Sequence, residues 1–447
     1  MIRLNTAIKK QLHDLVATLA YRERLRQQLR IPLYRNALYL MINYGITAIA
    51  GLVFWILAAR FYLAEDVGLA SAILSATMLL SLLATLGLDY TLIRFLPSSG
   101  EASNAVINSC FTIGGMASII IALIFVAGLG FWSPALLFLR HDPLFLSAFV
   151  IFTTGWTLYR LVGRTFIAER RAGFALAQGI TFNVLRITLV MLLAMFFTIF
   201  GIFASWGIAV LVAVIIGGLM FLPWVQPGYR PLPMIKRKVV SKMVHFSFAN
   251  YIAALLWFAP TFILPLMVVN LLGAEANAYF YIAWALANVL FSVPLSISFS
   301  LFAEGSYDED RLGRNTRRSL VFTFAIVVPV MLLIILIGDK ILLLFASAYA
   351  ENATNLLRVL AISAIPLSLN HIYFGVKRVE MKMKSVIFLN AFIAIATLAL
   401  SSVLLPRMGI FGAGVAWLSS QGVVALVIVL LRLPHIRKRL LRLRASR

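Results

Sequence analysis

Long apolar stretches separated by short charged segments run through the whole chain. A transmembrane helix needs about 20 predominantly apolar residues. The segment 172–229 is too long for one helix, and Gly201 near its middle indicates a turn, so that segment holds two spans and the total is twelve. In chain order the stretches are 36–59, 67–88, 102–139, 143–159, 172–229, 247–273, 276–303, 319–338, 359–376, 385–406 and 408–431.

The positions of the basic residues give the orientation of these spans. If the N-terminus is cytoplasmic, 33 of the 39 Lys and Arg residues lie on the cytoplasmic side. Cytoplasmic loops of membrane proteins carry such an excess. The pattern predicts a multi-pass protein of the inner (cytoplasmic) membrane with both termini in the cytoplasm. One arginine, Arg186, lies inside a span, and five basic residues fall outside: Arg60, Arg140, Lys340, Arg358 and Arg407.

Composition excludes several classes of protein. Hydrophobic residues make up 62% of the chain and charged residues 12%, whereas soluble domains carry roughly 25% charged residues. A soluble enzyme, a disordered chain and a secreted disulfide scaffold are therefore excluded. The formal charge of +23 would suit nucleic acid, but the charges lie in tails and short loops, so no nucleic-acid partner is expected. With one cysteine, Cys110, and five scattered histidines, the sequence offers no metal or cofactor site.

The two tails are basic, and the first is amphipathic. Residues 1–35 place apolar side chains at helical spacing before a run of arginines, which predicts a helix lying on anionic phospholipids of the inner leaflet. The first long apolar run follows this segment, so we expect a first span and not a cleavable signal. The domains predicted are an N-tail (1–35), an N-terminal six-helix bundle (36–229), a cytoplasmic linker (230–245), a C-terminal six-helix bundle (246–433) and a C-tail (434–447).

Three short markers recur at nearly the same offset and indicate an internal repeat. Because six is an even number of spans, both halves would insert with the same orientation, as parallel repeats about an axis along the membrane normal. The expected fold is an all-α polytopic membrane protein of twelve helices, in two pseudo-symmetric six-helix bundles with a central cleft that supports alternating access. The marker pairs are Ala64-Glu65 and Ala274-Glu275, Glu169 and Glu380, and Gly201-Ile202-Phe203 and Gly409-Ile410-Phe411.

Several stretches resemble the polysaccharide flippases of the multidrug/oligosaccharidyl-lipid/polysaccharide exporter superfamily. The segment AARFYLAEDVGLASAILSATMLLSLLATLGLDYTLIRFLP resembles their first two spans, and GAEANAYFYIAWALANVLF and SLFAEGS resemble spans seven and eight. Twelve spans argue against the murein-precursor branch, whose members typically have fourteen. The resemblance rests on Ala59-Arg60, Asp66, Gly68, Leu86-Gly87-Leu88 and Arg94-Phe95.

The resemblance implies a transporter without covalent chemistry, and hence no enzyme. Such proteins move a polyprenyl-diphosphate-linked oligosaccharide from the cytoplasmic to the outer leaflet, for O-antigen, capsule or exopolysaccharide assembly. Its implied partners are that lipid-linked glycan and the polysaccharide polymerase and assembly proteins.

Arg186 is the sharpest candidate for contact with an anionic cargo. A charge in the middle of a span costs roughly 2.5–3.5 kcal/mol on insertion scales and nearly always faces a bundle interior or a water-filled cavity. Its guanidinium suits a diphosphate, although neighbours such as Asn183 would also satisfy a purely structural arginine. Further candidates for substrate binding, with topology or helix packing as the alternative for each, are Asn183, Gln178, Arg160, Arg164, Asn250 and Asn288.

A second set of residues is proposed for gating or coupling. Asp89 and Arg94 end the second span and Arg60 ends the first, where interfacial charges are also expected for topology alone. His371 is the histidine placed well inside the membrane and is a candidate proton carrier. Pro260 and Pro265 are expected to bend the seventh span.

Two alternatives to a flippase remain open: a drug or cation antiporter of the same superfamily, and a non-transporting scaffold of a polysaccharide assembly complex. Cation exchange calls for buried carboxylates, and the sequence places none in the middle of a span. Anionic cargo is therefore favoured.

Overall fold

Twelve long helices form the protein, as the sequence predicts. The computed structural model describes the backbone of residues 32–307 and 311–445, and the side chains within these ranges apart from 32–34, 37, 237–250, 303, 306–307 and 431–445. No strand occurs in the described ranges. The helices are α1 (Pro32–Phe61), α2 (Ala64–Ala84), α3 (Ser103–Ala127), α4 (Pro143–Ala168), α5 (Ala172–Leu193), α6 (Ile199–Ile215), α7 (Arg237–Leu272), α8 (Ala274–Tyr307), α9 (Leu312–Leu342), α10 (Ser347–Val379), α11 (Met383–Met408) and α12 (Ile410–Ala445).

All twelve helices contain a stretch long and apolar enough to cross a membrane. Short segments complete the first half: a helix from Leu88 to Phe95 after α2, three short turns between α3 and α4, and a π-helical turn that extends α6 to Val225. Glycines with positive φ, Gly273 and Gly409, form the tight turns before α8 and α12, where a residue with a Cβ would be strained. The inner end of each helix is the end on the side of the basic loops, and the outer end is the opposite one.

The two halves repeat each other in three dimensions. In the first half α1 packs on α5, α2 on α4, α4 on α6 and α5 on α6; in the second half α7 packs on α11, α8 on α10, α10 on α12 and α11 on α12. The first two markers fall at equivalent points, since α2 and α8 begin at Ala64 and Ala274, and Glu169 and Glu380 follow the ends of α4 and α10. The fold is thus two pseudo-symmetric six-helix bundles with a central cleft.

The third marker pair has a different register from the one predicted. Helices α6 and α12 begin at Ile199 and Ile410, so Ile199-Phe200-Gly201 corresponds to Ile410-Phe411-Gly412 at an offset of 211. A Cβ on Gly201 would lie 3.2 Å from the carbonyl oxygen of Leu193, and one on Gly412 would lie 2.5 Å from that of Leu404. Both glycines therefore let the last helix of each half pass close to the helix before it.

Several helix ends differ from the sequence prediction. Helix α4 continues through Arg160 and Arg164 to Ala168, and α3 ends at Ala127, well before position 139. Helix α10 begins at Ser347, so Arg358 lies inside the helix and not in an outer loop; its Nε donates to the carbonyl of Ile335, 3.1 Å away. These helices extend beyond their apolar stretches into polar sequence. Apolar residues mark the part of a helix in the membrane core and not the helix termini.

The connection between the halves is shorter than the predicted linker 230–245, because α7 already begins at Arg237. Residues 226–236 lie along the inner end of α3 as a strap. Asn104 Nδ2 donates to the carbonyl of Gly228 and Asn108 Nδ2 to that of Arg230, at 3.1 and 2.8 Å. The amides of Met234 and Lys236 donate to Thr112 Oγ1 and Ser109 Oγ, both at 3.1 Å. The predicted N-tail helix, residues 1–31, lies outside the described residues.

The halves are joined tightly at their outer ends. A Cβ on Gly68 of α2 would lie only 1.7 Å from the carbonyl oxygen of Ala274, so the backbones of α2 and α8 touch there. Asn277 Nδ2 donates to Gly68 O at 2.8 Å and to Ser71 Oγ at 3.0 Å. Arg60 Nε donates to the carbonyl of Leu344, 2.8 Å away in the turn between α9 and α10. The outer side of the interface is therefore closed.

Candidate functional site

One face of α8 lines the cleft between the halves. Tyr281, Asn288, Ser292 and Phe299 lie within about 40° of one another around the helix at 100° per residue. At the outer end of this face, the ring of Tyr281 packs on Trp55 of α1 with centroids 4.7 Å apart. Ser292 and Phe299 are exposed and Asn288 is half-buried. This face of α8 is polar and accessible, and it begins where Tyr281 contacts Trp55 of the other half. It therefore lies between the two halves.

Arg186 lies at the outer end of this cleft, held by α1. It follows the start of α5 by 14 residues and precedes its end by 7, so it lies about 21 Å from the inner end at 1.5 Å per residue. Its Nη2 donates to Asn183 Oδ1 at 2.6 Å and to the carbonyl of Thr47 at 3.5 Å. Asn183 Nδ2 in turn donates to Thr47 Oγ1 at 3.2 Å. Asn183 thereby orients the guanidinium and is itself buried.

Aromatic rings surround the Arg186 guanidinium. Its Cζ lies 4.7 Å from the ring centre of Phe182 and 5.4 Å from that of Phe54, both within cation–π range. Tyr159 of α4 and Tyr281 of α8 lie within electrostatic range of the charge. Nε of Arg186 is buried without a hydrogen-bond partner among the described residues. Aromatic rings from both halves thus frame an arginine with one unpaired donor. Such a guanidinium can donate hydrogen bonds to a phosphate or a sugar acid.

A second cluster of charge lies at the inner end of the cleft. Arg160 Nη2 pairs with Asp89 Oδ2 at 3.4 Å, and Asp89 is buried. Burial, and to a lesser degree Asp89, raises the pKa of Tyr90 above its usual value, while the charges of Arg164, Arg160 and Arg378 oppose the rise. Because Arg378 belongs to α10, this cluster brings both halves together around Tyr90.

Arg378 also connects this cluster to the cleft face of α8. Its Cζ lies 5.1 Å from the ring centre of Phe299, and its Nη1 is buried without a hydrogen-bond partner in the described ranges. Two arginines with open donors therefore flank the Asn288 and Ser292 stripe, Arg186 near the outer end and Arg378 near the inner end.

The remaining candidates for substrate binding do not gather at either arginine cluster as one group. Gln178 is buried against α4 and the π-helical turn of α6, with Nε2 donating to the carbonyl of Tyr159 at 3.4 Å, so it joins helices within one half. Asn288 Nδ2 donates to the carbonyl of Trp284 in its own helix. Arg164 is half-buried beside Arg160. Asn250 lies in α7, and its side chain is outside the described residues.

The candidates for gating are also separated. Asp89 pairs with Arg160, whereas Arg94 is exposed at the end of the short helix. Arg60 joins the halves at the outer surface through Leu344. His371 is buried inside the second half, where its ring packs edge-on against Trp257 with centroids 4.6 Å apart. Helix α7 runs as one helix through Pro260 and Pro265.

Sequence reasoning missed the aromatic frame and the inner arginine. In the sequence, Tyr159, Tyr281 and Phe54 are indistinguishable from the many other aromatic residues of the spans. Arg378 is likewise indistinguishable from the other basic residues of a cytoplasmic loop. One signal was present, since Trp156 and Tyr159 are spaced i,i+3 in α4, and their rings stack with centroids 4.9 Å apart. No group of three His, Cys, Asp or Glu side chains suited to a metal occurs among the described residues.

The fold is similar to that of several solved membrane transporters. The chain superposes on a lipid II flippase, MurJ, in an inward closed conformation with a TM-score of 0.72 and 14% identity, covering 88% of this chain and 87% of that one. For a multidrug resistance transporter of the MATE family in an inward-facing conformation the TM-score is 0.68, with 14% identity and coverage of 90% and 99%. For an outward-facing MATE transporter it is 0.61, with 15% identity and coverage of 93% and 97%.

The sequence comparison gives the family. The profile of the polysaccharide biosynthesis protein family matches residues 56–354, more than half of the chain, and the chain belongs to that family. A segment of 154 residues is 27% identical to a candidate O-antigen transporter of Shigella flexneri. That match spans 34% of this chain and 37% of the relative. The resemblance noted in the sequence is thus confirmed at the level of family and fold, and the protein is a multi-pass membrane protein.

Proposed function

We propose that this protein is a flippase that carries a polyprenyl-diphosphate-linked oligosaccharide from the cytoplasmic to the outer leaflet of the inner membrane, for cell-surface polysaccharide assembly. The observation that carries the proposal is Arg186, a buried charge with an open donor among aromatic rings at the outer end of a cleft between two bundles. The membership of the polysaccharide biosynthesis family and the fold shared with a lipid II flippase support it.

The chemistry of the cleft suits both parts of such a cargo. Guanidinium groups form charge-assisted hydrogen bonds with phosphate oxygens, and Arg186 and Arg378 each keep a donor open. The stripe of Asn288 and Ser292 offers hydrogen bonds to sugar hydroxyls. Aromatic faces such as Trp55 and Tyr281 pack on the apolar faces of sugar rings. The protein supplies binding and a path, and no step of the cycle requires a covalent bond to change.

Transport would follow alternating access. The outer ends are closed by Gly68 against Ala274, by Asn277 and by Arg60, so cargo in this state enters from the inner side. Rocking of one bundle on the other would open these contacts and deliver the cargo to the outer leaflet. With this orientation both termini are cytoplasmic.

The decisive experiment is deletion of the gene in its host, followed by extraction of membrane lipids. We expect polyprenyl-linked glycan to accumulate and to resist enzymes added to the outer surface, and complementation with the wild-type gene to reverse this. Unchanged lipid pools accompanied by sensitivity to cationic drugs would contradict the proposal and support an antiporter. If variants of Arg186 keep full export while changes confined to the loops abolish it, the protein acts as a scaffold.

A further inference from the structure

The two halves differ at the inner end of their third helices, which are α3 in the first half and α9 in the second. Helix α9 begins at Leu312, 210 residues after Ala102, the residue that precedes α3, and α8 begins 210 residues after α2. At this offset Arg314 corresponds to Asn104, Arg317 to Ile107 and Arg318 to Asn108. The same region of the fold can therefore be compared directly in the two halves.

In the first half this region is covered by the chain itself. The strap 226–236 lies on it, bonded to Asn104 and Asn108 and to the two hydroxyls of Ser109 and Thr112. Ile107 is completely buried, in one apolar cluster with Tyr229 of the strap. The inner end of α3 is therefore fully packed.

In the second half the region is an open groove between α8 and α9 with a volume of about 740 Å³. Three exposed arginines, Arg314, Arg317 and Arg318, lie on its rim. Its floor is apolar and accessible: Val321 is 65% exposed and Phe322 is 58% exposed. The segment that would correspond to the strap does not turn back, because α12 continues as a helix to Ala445.

The groove is separate from the cleft. Its α8 residues, Ile297 and Ser300, are turned by about 160° and 100° from Phe299 at 100° per residue. Helix α9 packs on α8 and α10 at the periphery of its bundle, and only 22% of its membrane window is buried. The groove therefore opens toward the surrounding lipid.

We propose that this groove binds the phosphate headgroup of an anionic phospholipid of the inner leaflet. The arginines lie in the first two turns of α9, on the side that carries the basic loops, and the apolar floor begins about 6 Å deeper, one turn further along the helix. Basic pockets between transmembrane helices on the cytoplasmic side suit anionic headgroups. The chain's own C-tail is an unsuitable occupant, because it carries six basic residues and no acidic residue.

The test compares lipid retention by variants of the full-length protein in native mass spectrometry. The protein is released from mixed micelles of phosphatidylglycerol and phosphatidylcholine. We expect the wild type to retain phosphatidylglycerol at least fivefold over phosphatidylcholine. The triple variant R314Q/R317Q/R318Q should lower this preference to less than twofold.

A matched control removes the same charge from the inner side of the other half. The triple variant R171Q/R230Q/K236Q changes three exposed cations outside the groove and should keep the preference. A second variant, Ala325→Trp, fills the floor without changing the charge and should lower retention about fivefold. Thermal unfolding of each variant verifies that it is folded.

Several outcomes would overturn the inference. If the wild type shows no preference for phosphatidylglycerol, the groove does not bind an anionic headgroup. If the control loses the preference equally, only overall charge matters. If an added polyprenyl diphosphate binds through the three arginines while phosphatidylglycerol does not, the groove belongs to the transport path. Because the readout is binding alone, failure here leaves the proposed flippase function untouched.

Discussion

The two bundles share one architecture, but they place their charges differently. At an offset of 211 the position of Arg186 in α5 is occupied by Thr397 in α11, and that of Arg160 in α4 by His371 in α10. Thr397 and His371 are both buried without side-chain hydrogen bonds among the described residues. At these two positions the first half carries arginine, whereas the second half carries a buried threonine and a buried histidine.

The comparison separates helix packing, which the two halves share, from the side chains at equivalent positions, which differ. The equivalent helix contacts and the equivalent glycines, Gly201 and Gly412, maintain the same packing in both halves. The buried side chains at the two positions compared above differ although the helix contacts are equivalent. The second half has two arginines within α10. Nη1 of Arg378 is buried without a hydrogen-bond partner among the described residues, whereas the guanidinium of Arg358 is engaged by the carbonyl of Ile335.

The largest effect is expected from removing the charge in the first half. Arg186→Ala should lower glycan export roughly tenfold to a hundredfold, because hydrogen bonds to charged groups contribute about 1.5–3 kcal/mol. Arg186→Lys should retain part of the activity, since a point charge replaces the planar fork. Export is measured in the deletion host at equal protein abundance.

Two variants of the second half serve as controls for this prediction. Arg358→Ala should keep export within about twofold of the wild type, because its guanidinium bonds the neighbouring helix. The double variant R186T/T397R transplants the arginine and should not restore export. Equal losses from R186A and R358A would show that the two arginines have the same, structural role.

A smaller effect is expected where the halves meet. A Cβ on Gly68 cannot fit 1.7 Å from the carbonyl of Ala274, so Gly68→Ala should force α2 and α8 apart at their outer ends. Overpacking of this kind costs about 1–3 kcal/mol. We expect a lower thermal unfolding temperature in detergent and faster labelling of Ser71→Cys by an impermeant thiol reagent.

Gly45 is the matched position for that change. It lies in α1 with no atom within 4 Å of a built Cβ, so Gly45→Ala should leave both the unfolding temperature and the labelling rate unchanged. If G68A has a normal unfolding temperature and labelling rate, the contact between α2 and α8 accommodates the added methyl group without loss of stability.

The smallest expected effect is on stability and concerns two ion pairs, one in each half, that differ in burial. Asp89 is buried beside Arg160, and its loss leaves that arginine half-buried and unpaired, so Asp89→Asn should lower the free energy of unfolding by about 1–2 kcal/mol. The more exposed pair of Lys377 and Glu380 in the second half should contribute about 0.5 kcal/mol or less. Lys377→Gln tests it, because Glu380 also pairs with Lys382 at 3.1 Å.

A double-mutant cycle of Asp89→Asn with Arg160→Gln isolates the interaction of the first pair. A coupling of about 1 kcal/mol is expected from chemical or thermal unfolding. Coupling no larger than that of the Lys377 and Glu380 pair would show that burial adds nothing to the ion pair.

The linear sequence determined the parts of this protein that depend on local composition. Runs of apolar residues and charge asymmetry predict the twelve spans and the pairing of the halves. Arg186 is a candidate because it is the charged residue within such a run. These features can be read from the sequence because the bilayer selects residues by polarity at each depth. Helix ends near Arg160 and Arg358 were wrong because polar flanks carry no membrane signal. The register of the last marker was wrong because a match of three residues does not fix where a helix begins.

Only the tertiary structure decided which side chains share a site. The rings of Phe54, Tyr159 and Tyr281 belong to three helices from both halves, and no spacing along the chain brings them to Arg186. The separation of Asp89 from Arg94, and the strap that covers α3 while α9 stays open, likewise arise from packing between segments distant in sequence. Periodicity gives the face of a helix, but the partner of that face is set by how the bundles fit together.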